Sequence, residues 1–214
     1  MNIKLQYQES KNLNINNISV IGDFNDFNPA KGQMEKLDDI WIFEGDLPEG
    51  KYKYRFLIND ELELNDPLAN MYYPDDNEKL WSVLMINEDG ERLYNNKQYS
   101  VHIENYNINS TLNERENTNK KTFNLLLDTK VVTRFEFTDI SGIHSLTTAW
   151  YSPDGELFQV SEENLFKPEG QQYPIKTWFW MDLDSKKRTI PKGLWTIKLF
   201  LNGEFILEDK FTID

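Results

Sequence analysis

The stretch "LPEGKYKYRFLIND", Leu47–Asp60, decides the fold. At its centre Tyr52, Tyr54 and Phe56 alternate with Lys51, Lys53 and Arg55. A period of two puts successive side chains on opposite sides of a strand, whereas a helix would bring every third or fourth residue together. The three rings are therefore expected to face a core, with Arg55 and both lysines facing water. Pro48, Gly50, Asn59 and Asp60 mark turns at either end.

The same period runs through most of the chain. "SVIGDF", "WIFEGDL", "LWSVLMI", "YSVHIENYNI", "TRFEF", "LTTAWYS", "TWFWMDL" and "LWTIKLFL" read as further short strands. "LPEGK", "NEDGE", "SPDGE", "IPKGL" and "LNGE" separate them as turns, and Asn202-Gly203 suits a type I′ hairpin. Helical patterns are scarce; "ENLFKPEG", Glu163–Gly170, offers one turn. The fold class expected is all-β, with two immunoglobulin-like (early-set) sandwich domains in tandem. Residues 1–88 form the first, 89–97 a connector and 98–214 the second, with an exposed polar loop near 109–121.

Composition narrows the function. The 214 residues are 39% hydrophobic and 14% aromatic, enough for packed cores. There is no cysteine, which removes disulfides, thiolate metal sites and cysteine nucleophiles. The net charge is −13, of which residues 1–88 carry −9 from 8 basic and 17 acidic side chains. Such a field repels phosphate backbones and tolerates neutral ligands, so no nucleic acid partner is expected. No run approaches the roughly 18 apolar residues of a membrane span. "MNIKLQYQES" lacks the basic start and apolar core of a secretory signal, and a cytoplasmic location with no membrane partner is the expectation.

Three pieces of the first half carry a family likeness: "VIGDFNDFNP", "LPEGKYKYRFLIND", and "NDPLAN" followed by "WSVLMI". In order and spacing, residues 18–86 resemble the glycogen-binding module of carbohydrate-binding family 48. That module occurs in glycogen-branching enzymes and in the β subunit of AMP-activated kinase. The resemblance implies a non-catalytic α-glucan-binding accessory protein. It places the family's first sugar-stacking tryptophan on Phe27, its lysine on Arg55, its second tryptophan on or beside Leu62, and its late asparagine near Trp81. Both family indoles are thus replaced. The carbohydrate-binding candidates are Phe27, Arg55, Trp81 and Lys53, with Tyr72 and Tyr73 as neighbours. The alternative is a protein–protein interaction or self-assembly protein that kept the frame and lost the sugar, docking a partner or a second copy.

Residues 98–214 match no family firmly. Trp178 and Trp180, two apart in "TWFWMDL", share one face of a strand and form either a sugar-stacking strip or core filling; core filling is the expectation for them and for Trp150. His102 and His144, read as strand and loop residues, have no nucleophile motif beside them. Asp75, Asp76, Asn77 and Glu78 lack EF-hand spacing. Catalytic residues, metal ligands and cofactors are therefore expected to be none, and a glucan-cleaving barrel of about 250 residues would exceed the chain.

Overall fold

The computed structural model describes residues 2–69, 71–89, 91–92, 101–112, 119–184 and 188–214. Most of the expected connector, and residues 113–118 of the expected polar loop, lie outside the described residues. The described chain is all-β, with sixteen strands and no α-helix. It divides into two compact units. One comprises Met1–Lys97, His144–Thr147 and Phe200–Ile206; the other comprises Gln98–Ile143, Thr148–Leu199 and Leu207–Asp214.

The first unit is a β-sandwich of two sheets. Strands β1 (Asn2–Gln8), β2 (Ile18–Gly22), β3 (Glu35–Leu37), β4 (Ile40–Asp46), β5 (Gly50–Ile58), β6 (Leu62–Leu64), β7 (Met71–Pro74) and β8 (Leu80–Ile86) build it. One sheet has the order β1-β4-β3; the other runs β2-β5-β8-β7, with β6 also on β5. Ile3, Leu5 and Tyr7 alternate inward along β1. Tyr54, Phe56 and Ile58 of β5 are buried as well, and the Tyr7 ring packs edge-on against Phe56 at 5.4 Å. Removing such rings from water is the main force holding the sheets together.

"NDPLAN" does more than turn. Asp66 is buried and accepts the Tyr54 hydroxyl at 2.7 Å and the Leu68 amide at 2.7 Å. Its own amide donates to Ser82 Oγ at 2.7 Å, while Tyr72 donates to its carbonyl at 2.8 Å. One buried turn thereby ties β5, β7 and β8 together, and each polar group that left water has found a partner. Burial raises the Asp66 carboxyl from 3.8 to about 6, against the lowering effect of the Tyr54 and Leu68 hydrogen bonds.

The second half of the chain supplies β9 (His102–Asn109), β10 (Thr122–Phe123), β11 (Lys130–Thr138), β12 (His144–Tyr151), β13 (Leu157–Leu165), β14 (Ile175–Asp182), β15 (Gly193–Leu201) and β16 (Glu204–Ile213). Their sheets have the orders β10-β16-β15-β12-β13 and β14-β11-β9. Trp150 and Trp195 are fully buried, as the core expectation for Trp150 required. Asn202 and Gly203, at φ 53° and 89°, join β15 to β16 with the left-handed residues a type I′ turn needs.

Three expectations need correction here. Trp178 and Trp180 do not fill the core: Phe179 and Met181 do, and Trp180 is 45% exposed. Lys176 and Asp182 share the tryptophans' side of β14, and the cost of burying charges keeps that side outward. "ENLFKPEG" makes no helical turn; its first three residues complete β13. His144 opens β12 rather than lying in a loop, and its Nδ1 pairs with Asn202 Nδ2 at 2.9 Å.

Candidate functional site

Phe27 stands between two short 3-10 turns, Asp23–Asn25 and Pro29–Lys31, and the loop is tied down from within. Asn25 accepts the Gly22 amide at 3.0 Å and donates to the Val20 carbonyl at 2.8 Å. The Phe27 amide donates to Gly22 O at 2.8 Å, and Asn28 Oδ1 accepts from Ala30 at 3.0 Å. The Asp26 carboxylate, held below its usual value by the hydrogen bond from Lys31, grips that ammonium at 2.7 Å. Asp26 and Phe27 both take left-handed φ, 57° and 55°. For a bulky residue this conformation is strained, and the surrounding bonds must hold it. The outcome is a phenyl ring 45% exposed.

Strand pairing brings its neighbours to the same place. Tyr73 of β7 lies opposite Trp81 of β8, and Lys53 of β5 lies opposite Val83. Residues opposite one another share a side of the sheet, so Trp81, Tyr73, Lys51 and Lys53 all project away from the core. The Phe27 and Trp81 rings meet edge to face, centroids 5.4 Å apart at 71°. Lys51 Nζ lies 4.4 Å from the exposed Tyr73 ring, and Lys79 Nζ lies 5.1 Å from Trp81. Asp75 orients the indole by accepting Trp81 Nε1–H at 2.9 Å, and that hydrogen bond leads in holding the Asp75 carboxyl below its ordinary value. Asp75 also accepts the amides of Asn77 and Lys79, so "DDNEK" is a turn that fixes an indole. No cluster of three or more acidic or histidine side chains suited to a metal occurs among the described residues.

Arg55 does not fit the expectation that it faces water. It lies on the lysines' side of β5, yet only 1% of it is exposed. Its guanidinium carbon sits 5.3 Å from the Trp81 ring centroid. Nε donates to the Leu80 carbonyl at 3.0 Å, and Nη2 donates to the same oxygen. A roof of non-local side chains has turned a surface cation into a support, and a support cannot also reach sugar hydroxyls. Leu62, where the sequence resemblance leads us to expect a second stacking position, is buried in the core. Of the sequence candidates, Phe27, Trp81 and Lys53 therefore converge on one outward face. Tyr73, Lys51 and Lys79 join them; the alternation of β5 and β7 signalled the first two.

No family model matches the chain, and no curated protein matches it. Several solved structures are similar to it. An immunoglobulin-like protein from Pseudomonas aeruginosa is 19% identical over 54% of this chain and 97% of its own, with a TM-score of 0.39. A DUF3823 family protein from Bacteroides ovatus is 8% identical over 98% and 97%, with a TM-score of 0.28. Another from Parabacteroides merdae is 9% identical over 100% and 98%, with a TM-score of 0.27.

Proposed function

We infer that this chain is a non-catalytic binding protein whose first unit takes an α-glucan on the face of Phe27 and Trp81. The observation that carries the inference is the edge-to-face contact of those rings on the outward side of β8. A pyranose with equatorial hydroxyls offers apolar C–H faces, which lie against aromatic rings, and a rim of hydroxyls, which need polar partners. Two rings at 71° form a corner, so one sugar ring can rest on one wall and abut the other. Lys53 and Lys51 stand on the same side of the sheet as donors to hydroxyls. The choice of an α-linked chain comes from the resemblance to the glycogen-binding module, whose first stacking position is Phe27.

Calorimetric titration with maltoheptaose, backed by gel retardation in glycogen, tests this. Millimolar binding that shifts the Trp81 indole N–H resonance, and that Phe27→Ala and Trp81→Ala each weaken, is the expected result. No heat and no retardation with the intact protein would overturn it.

One observation supports a second role, in protein docking or self-assembly. Leu126 and Leu127 are 93% and 83% exposed, on a turn that Asp128 pins by accepting the Asn124 amide at 2.8 Å. Concentration-dependent sedimentation that Leu126→Ser eliminates, with no sugar response, would favour that role.

A further inference from the structure

Trp178 and Trp180 border a surface groove of about 640 Å³, whose walls include Glu163, Phe166, Gln171 and Lys176. It runs where β13, the outer strand of one sheet, nears β14, the outer strand of the other. Trp180 also borders an adjoining hollow of about 310 Å³ formed with Gln159, Asp182, Asp184 and Arg188. An indole thus stands at the junction of two hollows, with a second indole two residues along the same strand.

We propose that this groove is a second saccharide site, taking an unbranched neutral glucan along β14. Residues two apart on a strand repeat at about 7 Å, so each indole can lie under its own sugar ring. The platform is stiff because the cross-strand neighbours of Trp178 and Trp180, Arg134 and Val132 on β11, are buried. Polar groups flank it on both sides for hydroxyls: Glu163, Gln171 and Lys176 at one end, Asp182, Asp184 and Arg188 at the other. Acids and bases are mixed in both hollows, which gives a neutral ligand the advantage over a phosphate or a carboxylate.

An added peptide strand is the competing occupant, and one contact disfavours it. The Trp180 carbonyl already accepts Gln159 Nε2 at 2.8 Å, and Gln159 is braced by Arg188 Nη2 at 2.7 Å. Arg188 in turn packs on the Phe158 ring at 3.9 Å. An incoming strand would have to displace this chain of contacts to pair with β14 there.

The site is in the other unit from Phe27 and does not depend on the first proposal. The test uses the full chain carrying Phe27→Ala and Trp81→Ala, titrated with maltoheptaose and with cellohexaose. The indole N–H resonances are followed by NMR and assigned with Trp178→Phe and Trp180→Phe. Saturable shifts of the Trp178 and Trp180 resonances are expected with at least one sugar. Adding Trp180→Ala should weaken binding roughly tenfold or more without altering the urea midpoint. Still indoles with both sugars, or binding untouched by Trp180→Ala, would overturn the proposal. Loss of all binding in the Phe27→Ala, Trp81→Ala background would also overturn it while leaving the first site standing.

Discussion

Arg55 packs against the indole of Trp81, 5.3 Å from its centroid, and clasps the carbonyl of Leu80 just before it in the chain. The contact both supports the ring and fixes the strand that carries it. Arg55→Ala removes stem and fork together and leaves a void beneath Trp81. We expect a loss of about 2–4 kcal/mol in urea unfolding, with Arg55→Lys losing less. A variant as stable as the parent that no longer binds sugar would show instead that Arg55 reaches the ligand.

Phe27 is held at φ 55°, where any residue with a Cβ is strained. Phe27→Gly and Phe27→Ala remove the same ring but differ in backbone freedom. The glycine variant should be the more stable of the two by about 1 kcal/mol, measured by thermal or urea unfolding. Both should weaken sugar binding at the Trp81 face equally. If alanine is the more stable, the loop relaxes and the left-handed geometry is not imposed by its neighbours.

Asp66 gives stability an acid-side signature. Its folded value, about 6, lies above the ordinary 3.8 because burial disfavours the carboxylate. A raised value means the neutral form is favoured on folding. That contribution is complete below pH 3.8 and is lost as pH rises through about 6. Relative to Asp66→Asn, the parent should therefore lose on the order of 2–3 kcal/mol between those limits. Urea unfolding of both proteins across that range checks it, and a difference that does not vary with pH would contradict it.

Gly32 closes the loop that carries Phe27. A Cβ there would fall 1.9 Å from the Val20 carbonyl oxygen, which cannot move without breaking β2. Gly32→Ala should cost about 1–3 kcal/mol and lower glucan affinity by shifting Phe27. Unchanged urea unfolding would show that the loop can back away from β2.

How much of this was legible in the sequence varies with the range of the forces involved. The inward Tyr54 and Phe56 follow from a local period of two, as does the β15–β16 hairpin from Asn202-Gly203. The outward side of β14 was also written locally, in Lys176 and Asp182 sharing parity with Trp178 and Trp180. The preference of tryptophan for cores obscured it. The burial of Arg55 had no local sign. Trp81, whose ring covers it, lies 26 positions after it, and only the assembled sheet brings the two together. "NDPLAN" was legible as a turn but not as a buried knot, because its partners Tyr54, Tyr72 and Ser82 come from three strands.

The middle of β5 is enclosed in every direction. Tyr54 and Phe56 close one side and Arg55 the other, while β2 lies along one edge and β6 and β8 share the opposite one. Backbone amides in such a position trade their protons with water only when the surrounding unit opens as a whole. The slowest deuterium uptake in the first unit should therefore fall at Tyr54–Phe56, and its rate would report the global opening of that unit rather than local fraying.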